Sequence, residues 1–264
     1  GGTKTLVALF SKNGDIQQEQ SFATPADYDS FLSELTQCAR SLNQPATVVC
    51  AGVPGLLDRD KGVVHSLGNL PWIEKPKAAD LATIFGTKHV FIENDSKLAG
   101  LSEVSLLESI PQRALYITVS TGIGGALVID GTLSTHMIDM ELGKIPLLFE
   151  GSMRHWEDFA SGRAFFEAYG KQGDDVGDNP TLWQRYVIDR LGPGMAVACS
   201  YLQVDTIIFG GGLGHHSSHF VDFLRVYLDE TLHSIIRRPS TYKSARHGKN
   251  AVIYGCYQYA KDKN

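Results

Sequence analysis

Three glycine turns carry the first hint of chemistry in this chain: Gly1-Gly2-Thr3-Lys4, Thr121-Gly122-Ile123-Gly124-Gly125 and Gly210-Gly211-Gly212-Leu213-Gly214. A turn of this kind beside a strand lets backbone N–H groups reach an anion with no Cβ in the way. None matches G-x-x-x-x-G-K-[ST], which excludes a Walker-type phosphate loop. None opens a strand–helix unit as G-x-G-x-x-G, which disfavours a dinucleotide fold. The first two are expected between paired strands, one in each half. Facing each other across a cleft, they would grip a polyphosphate from both sides, while the third would cover a nucleoside. The cluster His215-His216 with His219 could suggest a metal, but its place after the third glycine turn favours a polar loop and helix entry.

The elements that must position these turns alternate between strand and helix. TLVALF (5–10), a turn at Asn13-Gly14 and QSFAT (20–24) read as a hairpin. A helix follows, with Thr24 expected as N-cap and Pro25 at its first position. Its apolar stripe is Tyr28, Phe31, Leu32, Leu35, Ala39 and Leu42. Then come ATVVCAG (46–52), a helix over 75–85, and HVFIEND (89–95) as a buried strand. The second half repeats the theme with ALYITVS (114–120) paired to GGALVID (124–130). The segment 171–180 reads as an exposed loop. MAVACSYLQ (195–203) is a buried helix feeding the strand DTIIF (205–209). An amphipathic helix spans 219–236, and another closes the chain over 251–261. The alternation predicts an α/β fold.

At 264 residues, 43% hydrophobic and 20% charged, the chain can bury a sizeable core in one large domain or two lobes. Its 24 basic and 29 acidic residues leave a net charge of −5, which argues against nucleic acid as a partner and offers nothing to a membrane surface. No apolar run approaches the roughly 18 residues of a membrane helix. The four cysteines form no C-x-x-C pair, and three lie in apolar runs. They read as buried, reduced thiols of a cytoplasmic protein without a signal peptide.

Taken together, GGTKTLVALF, LGNLPW (67–72), FIENDSKLAGLSE (91–103), STGIGGALVIDG (120–131), ELG (141–143), WEDFASG (156–162) and IIFGGG (207–212) resemble the ROK family of sugar kinases and sugar-responsive repressors. That family lies within the actin/hexokinase superfamily, and the pieces occur in its order over nearly the whole chain. The resemblance implies a two-lobed, duplicated ribonuclease H-like α/β fold with a cleft between lobes. Residues 1–110 plus a C-terminal helix at about 245–264 would form the smaller lobe, and 111–244 the larger.

The resemblance also implies an ATP-dependent hexose kinase, most similar to glucokinases. Asp95 would be the general base for the sugar's 6-hydroxyl. Without the family, Asn94-Asp95 reads as the cap of the next helix rather than as a base. Asn94, Glu141 and Glu157 match positions that hold the sugar, and Gly68-Asn69 a loop lining the same pocket. Without the family, the two glutamates read as solvated surface charges. Gly2, Thr3, Lys4, Thr121 and Gly122 would hold the phosphates, with Mg²⁺ carried by ATP, while Gly211 and Gly212 would flank the adenosine. Polyphosphate is a second candidate donor. Homodimerisation is an expectation from the family alone. The alternatives are a kinase for N-acetylmannosamine or another hexose, and a non-catalytic sugar sensor.

Two departures stand out. Many members carry E-x-G-H and a cysteine cluster that binds structural zinc. Here Lys144 stands in place of that histidine, the cysteines are absent, and His155 is the one candidate ligand left, so no zinc is expected. Lys144 can donate to a sugar hydroxyl but cannot accept. Members also carry a strand ending in Asp before G-G-T-K. Residues preceding Gly1 are therefore expected, since a missing central strand would expose sheet edges.

Overall fold

A computed structural model describes residues 3–67 and 70–263. Gly1, Gly2, Gly68 and Asn69 lie outside them, and with them the expectations placed on Gly2, Gly68 and Asn69. The chain divides into two compact units, Gly1–Ser102 with Lys249–Asn264, and Glu103–Gly248. Among the described residues, no helix is long and apolar enough to cross a membrane.

In the first unit, β1 (Lys4–Phe10) pairs antiparallel with β2 (Ile16–Ala23). The turn between them has Gly14 at φ +92°. Helix α1 (Tyr28–Arg40) starts later than the sequence suggests. Thr24 is still part of the hairpin, donating its N–H to Thr3 O at 3.0 Å. The true N-cap is Asp27, whose carboxylate accepts the Ser30 N–H at 2.8 Å. β3 (Val49–Val53), β4 (Leu56–Asp58), β5 (Val63–Leu67) and β6 (Leu70–Lys75) follow. The predicted helix start at Lys75 belongs to β6, and α2 covers Lys77–Phe85 because Pro76 precedes it. β7 (Val90–Asn94) lies parallel to β3, and α3 (Asp95–Ser105) begins at the very next residue. β4, β5 and β6 form a separate antiparallel sheet. The core of this unit sets Tyr28, Phe31 and Leu35 of α1 against Trp72, Val64, Leu81 and Ile92. The C-terminal helix Ala251–Lys263 packs on β3.

The second unit is built on five strands: β8 (Arg113–Val119), β9 (Ile123–Ile129), β10 (Thr132–Leu133), β13 (Thr206–Gly210) and β14 (Thr241–Ser244). Their order is β10-β9-β8-β13-β14. β8 and β9 are antiparallel, whereas β13 runs parallel to β8 and β14. A small hairpin, β11 (Pro146–Phe149) with β12 (Ser152–His155), leads into α4 (Trp156–Ala160) and α5 (Gly162–Tyr169). The segment 171–180 is more ordered than an exposed loop. Gln172 and Asp175 box the turn α6 (Gly173–Val176), and Val176 reaches the core. α7 (Pro180–Tyr186) runs through a π-helical turn at Val187–Leu191 into α8 (Gly192–Leu202). After β13 come α9 (Gly211–Gly214) and α10 (Ser217–Thr231). The sequence extends α10 to Ile236, but it stops at Thr231. There Arg238 turns back to donate to the carbonyls of His233 at 2.6 Å and Ile236 at 2.7 Å. The core gathers Trp156, Phe165, Trp183, Tyr186 and Phe220 under the sheet.

The cysteines need one correction. Cys199 is buried, but Cys38, Cys50 and Cys256 are half-buried. The hydrogen bond that the Cys50 thiol donates to Cys256, and then burial, push that thiol well above its ordinary range.

Candidate functional site

Ligand sites in open α/β sheets gather beyond the carboxyl ends of parallel strands. In the first unit, that end of β7 is occupied by Asn94 and Asp95. The two residues divide the labour that the sequence left ambiguous. Buried Asn94 closes the turn, its Oδ1 accepting the Ser96 N–H at 3.0 Å and the Ser96 hydroxyl at 2.6 Å. Asp95 also accepts the Ser96 N–H, through Oδ1 at 2.7 Å, and among the described residues no hydrogen bond falls on its Oδ2. Burial raises the Asp95 carboxyl above its ordinary range, against the pull of the Ser96 amide and the Lys97 ammonium. Capping and a reactive carboxylate are therefore compatible at this strand end. Thr3 and Lys4 are exposed where β1 begins.

The second unit brings two glycine turns to the same end of one sheet. β8 and β13 are parallel, with Thr118 opposite Gly210, so residues 120–122 and 211–212 emerge side by side. Gly211 has φ +80°, and a Cβ there would stand 2.6 Å from Val119 O. Only glycine allows the third turn to approach the second this closely. The Thr121-Gly122 turn is fixed by Ser120 donating its N–H to Gly122 O at 2.9 Å. Gly162 at the start of α5 donates its N–H to Ser120 O at 2.6 Å.

Glu157 is the residue that sequence reasoning alone misplaced. It is no solvated surface charge, because its side chain is only 18% exposed and both carboxylate oxygens are engaged. Oε2 accepts the Ile123 N–H of the second glycine turn at 3.1 Å, and Oε1 takes a short salt bridge from Lys144 Nζ. That pairing holds the Lys144 ammonium above its ordinary range. Two glycines make room for the carboxylate: a Cβ at Gly122 or at Gly143 would lie 2.7 Å from Oε2. Gly143 is further confined, with Ile123 O 2.4 Å from the same position. Spacing along the chain gives no sign of this seat, which is built from three distant segments. Glu141 is exposed and leads the 3₁₀ turn Leu142–Lys144. Gly143→Ala is expected to destabilise the chain by about 1–3 kcal/mol in urea unfolding, as overpacking does. Gly212→Ala, whose added methyl meets nothing within 4 Å, is the control that should change little.

Lys144, in place of the ligand histidine, and His155, the one candidate ligand left, both have other partners. Lys144 is held by Glu157, and His155 is the N-cap of α4 in a reciprocal box with Asp158. Among the described residues, no group of three His, Cys, Asp or Glu is arranged to hold a metal ion. The histidine cluster takes part in the entry to α10. His216 Nε2 lies 3.1 Å from Asp174 Oδ1, and His219 Nδ1 lies 2.9 Å from Asp178 Oδ1. Both rings stack on Trp183 with centroids 5.9 Å away.

A family model described as ROK matches residues 1–263 of the chain. A glucokinase of Streptomyces coelicolor is 26% identical over 183 residues, a match covering 65% of this chain and 57% of that protein. The chain thus spans little more than half the length of that relative. An N-acetyl-D-glucosamine kinase of Salmonella heidelberg is 26% identical over 294 residues, covering 97% of this chain and 95% of that protein. Among solved structures, a ROK family glucokinase from Streptomyces griseus, in complex with glucose and AMPPNP, matches with a TM-score of 0.79 at 22% identity. That match covers 99% of this chain and 97% of the other. The fold is therefore α/β of the actin/hexokinase-like class.

Proposed function

The chain belongs to the ROK family, and from that membership we propose that it is an ATP-dependent hexose kinase acting on the 6-hydroxyl of glucose or a related hexose. The observation that carries the proposal is Asp95, a carboxylate at the end of a parallel strand with Oδ1 fixed by the Ser96 amide and its basicity raised by burial. In the reaction, the sugar O6 attacks the γ-phosphorus and the bond to the β-phosphate oxygen breaks. ADP leaves, and the hydroxyl proton passes to Asp95.

The remaining residues orient the partners of that step. Asn94, Glu141 and Glu157 would hold sugar hydroxyls, and Gly68 and Asn69 would serve the sugar as well. Thr121 and Gly122 would meet the phosphates of Mg²⁺-bearing ATP, as would Gly2, Thr3 and Lys4. Gly211 and Gly212, emerging beside Thr121, suit the adenosine. Lys144 would act on the sugar chiefly through Glu157, the carboxylate it already pairs with.

The test measures ADP release with ATP and, separately, sugar-phosphate formation with polyphosphate. The sugar panel comprises glucose, mannose, fructose, N-acetylglucosamine and N-acetylmannosamine. Glucose or another hexose without an N-acetyl group is expected to give the highest kcat/KM. A preference for an N-acetylated sugar would move the assignment toward the kind of activity named for the Salmonella relative. Saturable sugar binding with no turnover from any donor would overturn the kinase and favour a sensor.

A further inference from the structure

Glu93 is the residue before the Asn94-Asp95 pair, and its side chain is fully buried. A buried carboxylate needs a compensating cation and filled lone pairs. Arg59 supplies the cation from the turn after β4, with Nε 2.7 Å from Oε2 and Nη2 2.6 Å from Oε1. This is the two-toothed fork that only a guanidinium makes. Glu93 Oε1 also accepts the backbone N–H of Asn94 at 2.6 Å. Asn94 in turn holds Ser96, and Ser96 donates its N–H to Asp95 Oδ1. A continuous set of short contacts thus runs from Arg59 to the carboxylate at the strand end. Arg59 also sits where β4 turns toward β5.

We infer that Arg59, acting through Glu93, is a positioning residue that fixes the Asn94–Asp95 turn in the geometry needed for proton abstraction. The inference rests on the reading of Asp95 as general base. A charged partner that merely stabilised the fold would be replaceable by lysine. A partner that sets the orientation of Glu93 is not, because an ammonium cannot span both carboxylate oxygens as the fork does.

Three variants test this: Arg59→Lys, Arg59→Met, and Arg59→Met combined with Glu93→Gln. In Arg59→Lys, kcat should fall by about tenfold or more while the KM for ATP stays within roughly twofold, since slight misplacement of a reacting group is costly. The Asn94 amide proton, assigned by NMR, should shift as its acceptor turns. Arg59→Met should be worse, because Glu93 is left buried without a cation. The double variant should recover part of kcat, since glutamine still accepts from Asn94 and carries no charge. An Arg59→Lys protein with unchanged kcat overturns the inference, even if its Tm is lower.

Asp95→Asn, assayed in parallel, separates the two readings. If it retains full turnover, the base assignment fails. If it is dead while Arg59→Lys is fully active, only the role of Arg59 fails. Should the chain turn over no sugar at all, the Asn94 resonance decides: a shift in Arg59→Lys supports the positioning contact, and an unmoved resonance overturns it.

Discussion

Replacing Asp95 by asparagine should lower kcat by about 10²–10⁴-fold, the range that a positioned general base contributes, while sugar affinity changes little. Asparagine keeps the size of the side chain and can still accept the Ser96 N–H through Oδ1, so the turn after β7 should survive. What it loses is a place for the proton. The pH profile offers a second check. Burial raises the Asp95 carboxyl, so the base begins to protonate at a higher pH than an exposed aspartate near about 4 would. As pH falls through that raised value, kcat should fall with it, and this limb should vanish from the residual activity of Asp95→Asn. Sugar binding by calorimetry completes the test. A variant that turns over at the parental rate would remove Asp95 from the mechanism.

The second large effect concerns stability, at Lys77. This residue opens α2, yet it is buried, with Nζ lacking a hydrogen-bond partner among the described residues. Its ammonium lies 4.0 Å from the ring centroid of Phe31, 4.4 Å from Trp72 and 4.7 Å from Tyr28. Burial pushes its pKa down to about 7, with Asp80 pulling the other way. The helix N-terminus is also an unfavourable place for a cation, while the three ring faces return part of the cost.

The sign of the pH dependence follows from proton counting. Below about pH 7 both folded and unfolded chains hold the proton, and the folded state carries the full penalty. Between about 7 and 10.5 the unfolded chain holds it and the folded chain does not, so stability rises with pH. Lys77→Met should remove that rise. At pH 6 it should stabilise the protein by about 2–4 kcal/mol, less than the full pKa displacement implies. Near pH 10.5 the gain should shrink below about 1 kcal/mol. Urea unfolding at the two pH values measures both numbers, and a variant less stable than its parent at pH 6 would show that the rings hold the ammonium better than water does.

How much of this was legible in the sequence depends on how local the determining physics is. Asp130-Gly131 makes the turn from β9 to β10 with both residues at positive φ, the dipeptide type that such a hairpin favours. Glu150-Gly151 makes a turn of the same handedness between β11 and β12, but glutamate is not a residue that signals it, and the hairpin went unread. The apolar stripe of α1 was clear, whereas its start was not: Thr24-Pro25 looks like a cap, and only pairing with β1 keeps Thr24 in the strand register. The site divides in the same way. The turn made by Asn94-Asp95 could be read because it rests on one dipeptide. The seat of Glu157 could not, since it needs Gly122, Gly143 and Lys144 to converge. Arg59 and Glu93 stand 34 positions apart, and Lys77 has the look of an ordinary surface charge until three rings close around it.

The double engagement of Glu157 has a thermodynamic meaning. One oxygen is tied to the glycine turn that would serve the nucleotide, and the other is tied to a lysine that a sugar hydroxyl would have to rival. Before any ligand arrives, the chain already acts as its own ligand at this carboxylate. A molecule that displaced Lys144 would loosen or tighten the hold on the Ile123 amide, and one that moved the turn would alter the carboxylate offered to the sugar. By reciprocity the two influences must be equal in free energy. Sugar and nucleotide affinities in this protein would then be joint quantities, measured faithfully only with the other site held at a fixed occupancy.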